Sequence, residues 1–146
     1  MYTPVSFEVT DPEVILSHVR AHPFATLITG GDDSPLASHL PLLPIEVQGQ
    51  VLLEGHLARP NTQWQAAGCR ALAIFHGPHA YISAGWYQTP GTVPTWNYTA
   101  VHAQGMISIV DDQEELLGSL ERLAQRLEPE PAGWRFSRTD PSIQKM

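Results

Sequence analysis

Cysteine is almost absent: Cys69 is the only one in 146 residues, which excludes an internal disulfide framework and a thiolate metal cluster. Positive charge is scarce, with eight Lys and Arg against fifteen Asp and Glu and a net charge of −7. That sign opposes a broad grip on a phosphate backbone, so direct nucleic-acid binding is not expected. No apolar run reaches membrane-spanning length, and the start, "MYTPVSFEVTDPEV", lacks the basic flank and apolar stretch of a secretory signal. The expectation is a cytoplasmic protein folded as one domain over residues 1–146.

Catalytic signatures are missing too. The chain carries no HExxH, no G-x-S-x-G elbow, no phosphate loop of the G-x-x-x-x-G-K-S/T type and no dinucleotide fingerprint. Ser38 and His39, adjacent along a strand, point to opposite faces and do not form a hydrolase pair. Seven histidines are present, yet only His18 and His22 stand at helical spacing, and Pro23 ends that helix. His76 and His79, flanking Gly-Pro, could hold a metal on a loop; a loop shaped by Gly and Pro accounts for the pattern as well.

What is present reads as α+β. "VTDPEVILSHVRAHP" predicts a first helix capped by Asp11 or Thr10, with Pro12 in its first turn and Val14, Ile15, Val19 and His18 as its stripe. "FATLIT" and "LASHLPLLPI" predict a hairpin across "GGDDSP", and "VLLEGHL" a third strand after the turn "VQGQ". Asn61 is a plausible cap for a short helix closed by Gly68. "RALAIFHG" and "HAYIS" read as two extended stretches broken at Gly-Pro, and "NYTAVHAQGMISIV" as a long strand whose Gly105 invites a bulge or a close backbone approach. Leu116, Leu120, Leu123 and Leu127 mark a last helix. About six strands with three helical elements suggest an antiparallel sheet or small barrel.

Two segments carry chemistry. In "GHLARPNTQW", a helix start, the Arg59 guanidinium, the His56 imidazole and the Asn61 amide form the kind of pocket that holds a phosphate monoester. The plainer alternative is a surface arginine beside an Asn cap. Residues 75–98, "FHGPHAYISAGWYQTPGTVPTWNY", contain six aromatic residues and no acidic, lysine or arginine side chain. Such walls suit a flat heteroaromatic ligand, or else a core or homodimer interface.

"GHLARPNTQW", "IFHGPHAYISAGWY", "VPTWNY" and "AVHAQG", with "HPFATLIT" and "SPLASHLPLL" before them, resemble in order the PaiB-type FMN-binding negative transcriptional regulators over about residues 1–136. The resemblance implies an FMN-binding split β-barrel with flanking helices, usually a homodimer with flavin at the subunit interface. It implies that Ser38, His39, His56, Arg59 and Asn61 lie at the flavin phosphate and ribityl chain. Thr95, Trp96 and Asn97 would approach the site or the dimer seam. It further implies that members run on past "SIQKM" through another strand region; if that segment contributes to the barrel or the flavin pocket, FMN affinity without it is weak or lost. Flavin-dependent redox activity on a small molecule is one implied function. A non-catalytic regulator acting indirectly, and a haem- or metal-binding split-barrel relative, are the alternatives.

Overall fold

The computed structural model describes residues 1–31, 34–128, 135–140 and 143. The two aspartates of the "GGDDSP" turn and most of the expected aperiodic tail lie outside the described residues.

Helix α1 runs Pro12–Ala21. The Asp11 carboxylate accepts from the Glu13 amide at 2.9 Å, and Pro12 occupies the first turn, where its missing N–H costs nothing. Val19 is buried on its inner face, with Ile15 and His18 half-buried beside it; Val14, expected in that stripe, points to solvent.

Six strands follow. β1 (Phe24–Thr29), β2 (Leu36–Pro41), β5 (Arg70–Ile82) and β6 (Thr95–Met106) form one antiparallel sheet in the order β2-β1-β5-β6. β3 (Leu43–Val47) and β4 (Gln50–Glu54) form a separate hairpin. Gln48 and Gly49 both take positive φ in its two-residue turn, the backbone that matches strand twist. With α1 and α2 (Gln113–Leu127) alongside, this is an α+β molecule of split, non-closed barrel form.

Three boundaries differ from the sequence reading. "LASHLPLLPI" is two strands that part at buried Leu42 and pair in different sheets. The expected Gly-Pro break is a bulge inside one continuous strand, with Gly77 and Pro78 together opposing Thr99 between the pairs His76–Ala100 and His79–Tyr98. Gly105 pairs regularly with Ala71. The irregularity sits at Pro78 because proline has no amide proton to give a ladder.

The core gathers Val19, Ala25, Leu40, Leu42, Ala73 and Phe75, with Leu27, Leu53, Leu57, Val101 and Ala103 packed against it. Helix α2, whose amide at Glu115 is capped by Asp112 at 2.9 Å, buries Leu120. Its Arg122 makes a bidentate ion pair with Glu54 of β4, and Arg126 donates to the Arg20 carbonyl of α1 at 2.8 Å.

Candidate functional site

The chain leaves β4 at Glu54 and crosses back toward β2 before β5 begins, so residues 55–69 form a loop at the β2 edge of the sheet. Its helical part is a 3₁₀ turn, Thr62–Ala66, rather than an α-helix. Gly68 closes it at a φ of +83°, a backbone that favours glycine. The Asn61 carbonyl oxygen accepts from the Gln63 amide at 3.0 Å, as a cap should. That bond uses one of the amide donors that a helix start would offer an anion.

Two side chains anchor this loop to the sheet and a third braces it from within. Asn61 Nδ2 donates to Ser38 Oγ at 2.8 Å. Trp64 Nε1 donates to the Arg59 carbonyl at 3.2 Å. The Gln63 amide, 2% exposed, reaches Leu27 and Thr29 of β1 and Leu36 of β2. Arg59 itself is exposed, and among the described residues its guanidinium makes no ion pair. His56 is exposed at the start of the loop.

Ser38 and His39 separate as strand alternation requires. Ser38 faces the loop, whereas His39 lies on the outer face of the sheet, its ring stacked on Phe24 at 6.3 Å and its Nδ1 3.1 Å from Thr26 Oγ1. Thus Ser38, Asn61 and the backbone of Arg59 come together, while His39 belongs to a second surface.

That second surface carries the rings. β1 flanks β5 only over Ala71–Phe75, so from His76 to Ile82 β5 pairs with β6 alone and forms a two-stranded ribbon. Across it Tyr81 opposes Trp96 and His79 opposes Tyr98. Trp96 stacks with His79 at 5.8 Å and meets Tyr81 at 6.2 Å, yet Trp96 and Tyr98 remain 57% and 59% exposed. Strand alternation along β6 places Trp96 and Tyr98 on the same face as His102. Thr95 and Asn97 face the other way, joined by a 3.4 Å bond from the threonine hydroxyl to the asparagine oxygen.

Beneath the bulge the space is tight. A Cβ on Gly77 would collide with the Thr99 hydroxyl and the His18 ring, so only glycine fits where α1 meets the bulge. His18 Nε2 is buried without a partner among the described residues, and burial first, then the neighbouring His22, lowers its pKa. Burial likewise lowers His102, helped by the N-terminal ammonium and His76.

Sequence reasoning passed over two residues. Gln63 reads as a polar surface residue, and nothing local marks its burial. Arg70 lines a cavity of about 300 Å³ with Ile28, Leu72, Pro35 and Gln104 at the opposite end of β5; its place on the outer face follows from alternation once the register is known.

Comparison with known proteins supplies the relationship. The family model described as "Putative FMN-binding domain" matches residues 1–146. Protease synthase and sporulation protein PAI 2 of Bacillus subtilis is 39% identical over 130 residues, 88% of this chain and 62% of that protein. An uncharacterized protein of Saccharomyces cerevisiae is 35% identical over 106 residues, 66% of this chain and 63% of its own length. One of Emericella nidulans is 30% identical over 145 residues, 75% of this chain and 57% of its own length. The chain therefore spans less than two thirds of the length of these relatives. With the ordered motifs, the split-barrel sheet and a family match from end to end, the chain belongs to the PaiB-like FMN-binding family.

Proposed function

We propose that this protein binds FMN as a homodimer, with the 58–66 loop taking the phosphate and the outer ring surface of a second copy closing over the flavin. The observation that carries the reading is the exposed Arg59 guanidinium, without an ion pair among the described residues, on a loop that Asn61 and Gln63 anchor to the β1–β2 hairpin and that the Trp64–Arg59 bond braces from within. A pinned loop presents its cation at little ordering cost, and a guanidinium matches a phosphate by paired hydrogen bonds. Ser38 and Asn61, bonded to each other, add a hydroxyl and an amide where the loop meets β2.

The separation of the two surfaces supports the dimer. β2 and β6 are opposite edges of the sheet, three strand spacings or roughly 14 Å apart. The loop stands at one edge, and the ribbon extends past the other strands. A two-fold partner bringing its ribbon to this loop would cover Trp96, Tyr98 and Tyr81, which one copy leaves half or more exposed. Flavin, when bound, supplies electron or hydride transfer; the chain supplies placement and exclusion of water. The net charge of −7 argues that any regulatory effect is exerted without direct DNA contact.

The test is an absorption spectrum of the purified protein before and after excess FMN, followed by gel filtration. The expected result is yellow colour co-migrating with a dimer. Arg59→Ala should weaken FMN binding by about 1.5–3 kcal/mol, roughly tenfold to a hundredfold, and leave riboflavin binding nearly unchanged. A colourless protein that takes up no FMN overturns the proposal.

A further inference from the structure

Gln63 and Thr29 are the two buried polar residues of the described structure, and they are bonded to each other at 3.2 Å. The Gln63 Nε2 also donates to the Leu27 carbonyl at 3.1 Å and the Leu36 carbonyl at 3.2 Å. Two amide protons thus serve three acceptors on two neighbouring strands, where the β1–β2 hairpin opens toward its turn. The Gln63 carbonyl oxygen, in contrast, is buried with no donor among the described residues. An unpaired buried acceptor is unfavourable, and an apolar side chain of similar shape would avoid it. Such a replacement would also take a donor from the Leu27 and Leu36 carbonyls and the Thr29 hydroxyl, so the unpaired oxygen does not by itself account for glutamine here.

Its connections suggest what does. The Gln63 backbone amide donates to Asn61, Asn61 donates to Ser38 of β2, and Trp64 holds the Arg59 carbonyl. From Arg59 to Trp64 the chain is fastened to the hairpin by Asn61, which holds Ser38 of β2, and by Gln63, the side chain that grips both β1 and β2. We infer that Gln63 is a positioning residue for the phosphate grip: it locks the 58–66 loop onto the hairpin, so that Arg59 and Asn61 stand in their binding geometry before any ligand arrives. This inference rests on reading that loop as the FMN phosphate site.

The test compares FMN with riboflavin, which differ only in the phosphate, by flavin fluorescence titration of the full chain. Gln63→Met keeps the volume and deletes the donors. It is expected to remain folded, by thermal melting and far-UV circular dichroism. Its FMN affinity should fall about tenfold and its riboflavin affinity less than about twofold, because only the phosphate contact loses preorganisation. A merely structural role would lower both affinities together. Thr29→Val, which removes a single acceptor, is expected to reduce the FMN-over-riboflavin preference in the same direction by a smaller factor. It decides the question if Gln63→Met fails to fold. A wild-type preference for FMN that survives undiminished in the folded variants overturns the positioning role alone. Wild-type protein that does not distinguish FMN from riboflavin overturns the phosphate reading, and the positioning role with it.

Discussion

The two halves of β5 share one strand and almost nothing else. Before the bulge, Ala71–Phe75 lies between β1 and β6, and Ala73 and Phe75 are buried. After it, His79–Ile82 has β6 on one side and no described strand on the other, with Tyr81 half exposed. Both halves are rich in large apolar groups, so hydrophobicity does not separate them. The number of strand neighbours does: rings flanked on both sides became core, and rings on a ribbon became surface. An aromatic segment in a sequence therefore reports that something will be covered, without saying whether the cover is the chain itself.

The sharpest way to break this contrast is to truncate one ring in each half. Phe75→Ala removes a fully buried side chain and should cost about 3–5 kcal/mol in urea unfolding. Trp96→Ala, at a position 57% exposed, should change monomer stability by no more than about 0.5 kcal/mol while lowering the dimer fraction in sedimentation. Equal losses in both variants would mean that the ribbon is packed into the core of a single copy.

The bulge between the halves comes next. Gly77→Ala drives a methyl group into Thr99 and His18 and should destabilise by about 1–3 kcal/mol, read from the same unfolding curves. His18→Leu spares the backbone and tests the same junction by pH. In the unfolded chain His18 titrates near 6.5, and in the folded protein lower, chiefly because it is buried. The unfolded state therefore binds the proton first as pH falls, so stability is full above 6.5 and is lost as pH drops through that value toward the folded pKa. Melting temperature should decline from neutral pH to about pH 5 in the wild type and decline less steeply in His18→Leu.

Local chemistry made much of this legible in the sequence. The Asp11-Pro12 start of α1, the Gly68 close, the turn at Gln48-Gly49 and the leucine spacing of α2 each depend on residues a few positions apart. What could not be read depends on distant pairing. "HLPLLPI" is apolar throughout, so nothing in it marks Leu42 as the point where the chain changes sheets. Gly-Pro signals an interruption; whether it ends a strand or bulges it is decided by β6, which continues opposite. Gln63 is buried by β1 and β2, more than twenty residues away along the chain. In the candidate site, Arg59, Asn61 and Ser38 were named from sequence and Ser38 meets the loop. The division of Ser38 from His39 follows from strand alternation, which the family resemblance alone does not express.

The bulge at Gly77 and Pro78 acts on side chains as a frameshift acts on codons: the downstream order is preserved and its assignment changes. Phe75 and Tyr81 are an even number of residues apart, so strict alternation would send both inward, with Ala80 and Ile82 facing out. The one extra residue reverses that assignment and turns His79 and Tyr81 out beside Trp96 and Tyr98. Restoring regular pairing there would replace His79 and Tyr81 by Ala80 and Ile82 on the outer face, leaving Trp96 and Tyr98 of β6 beside an aliphatic strand. Relatives that differ in residue count at this point should therefore differ in what their ribbons can hold.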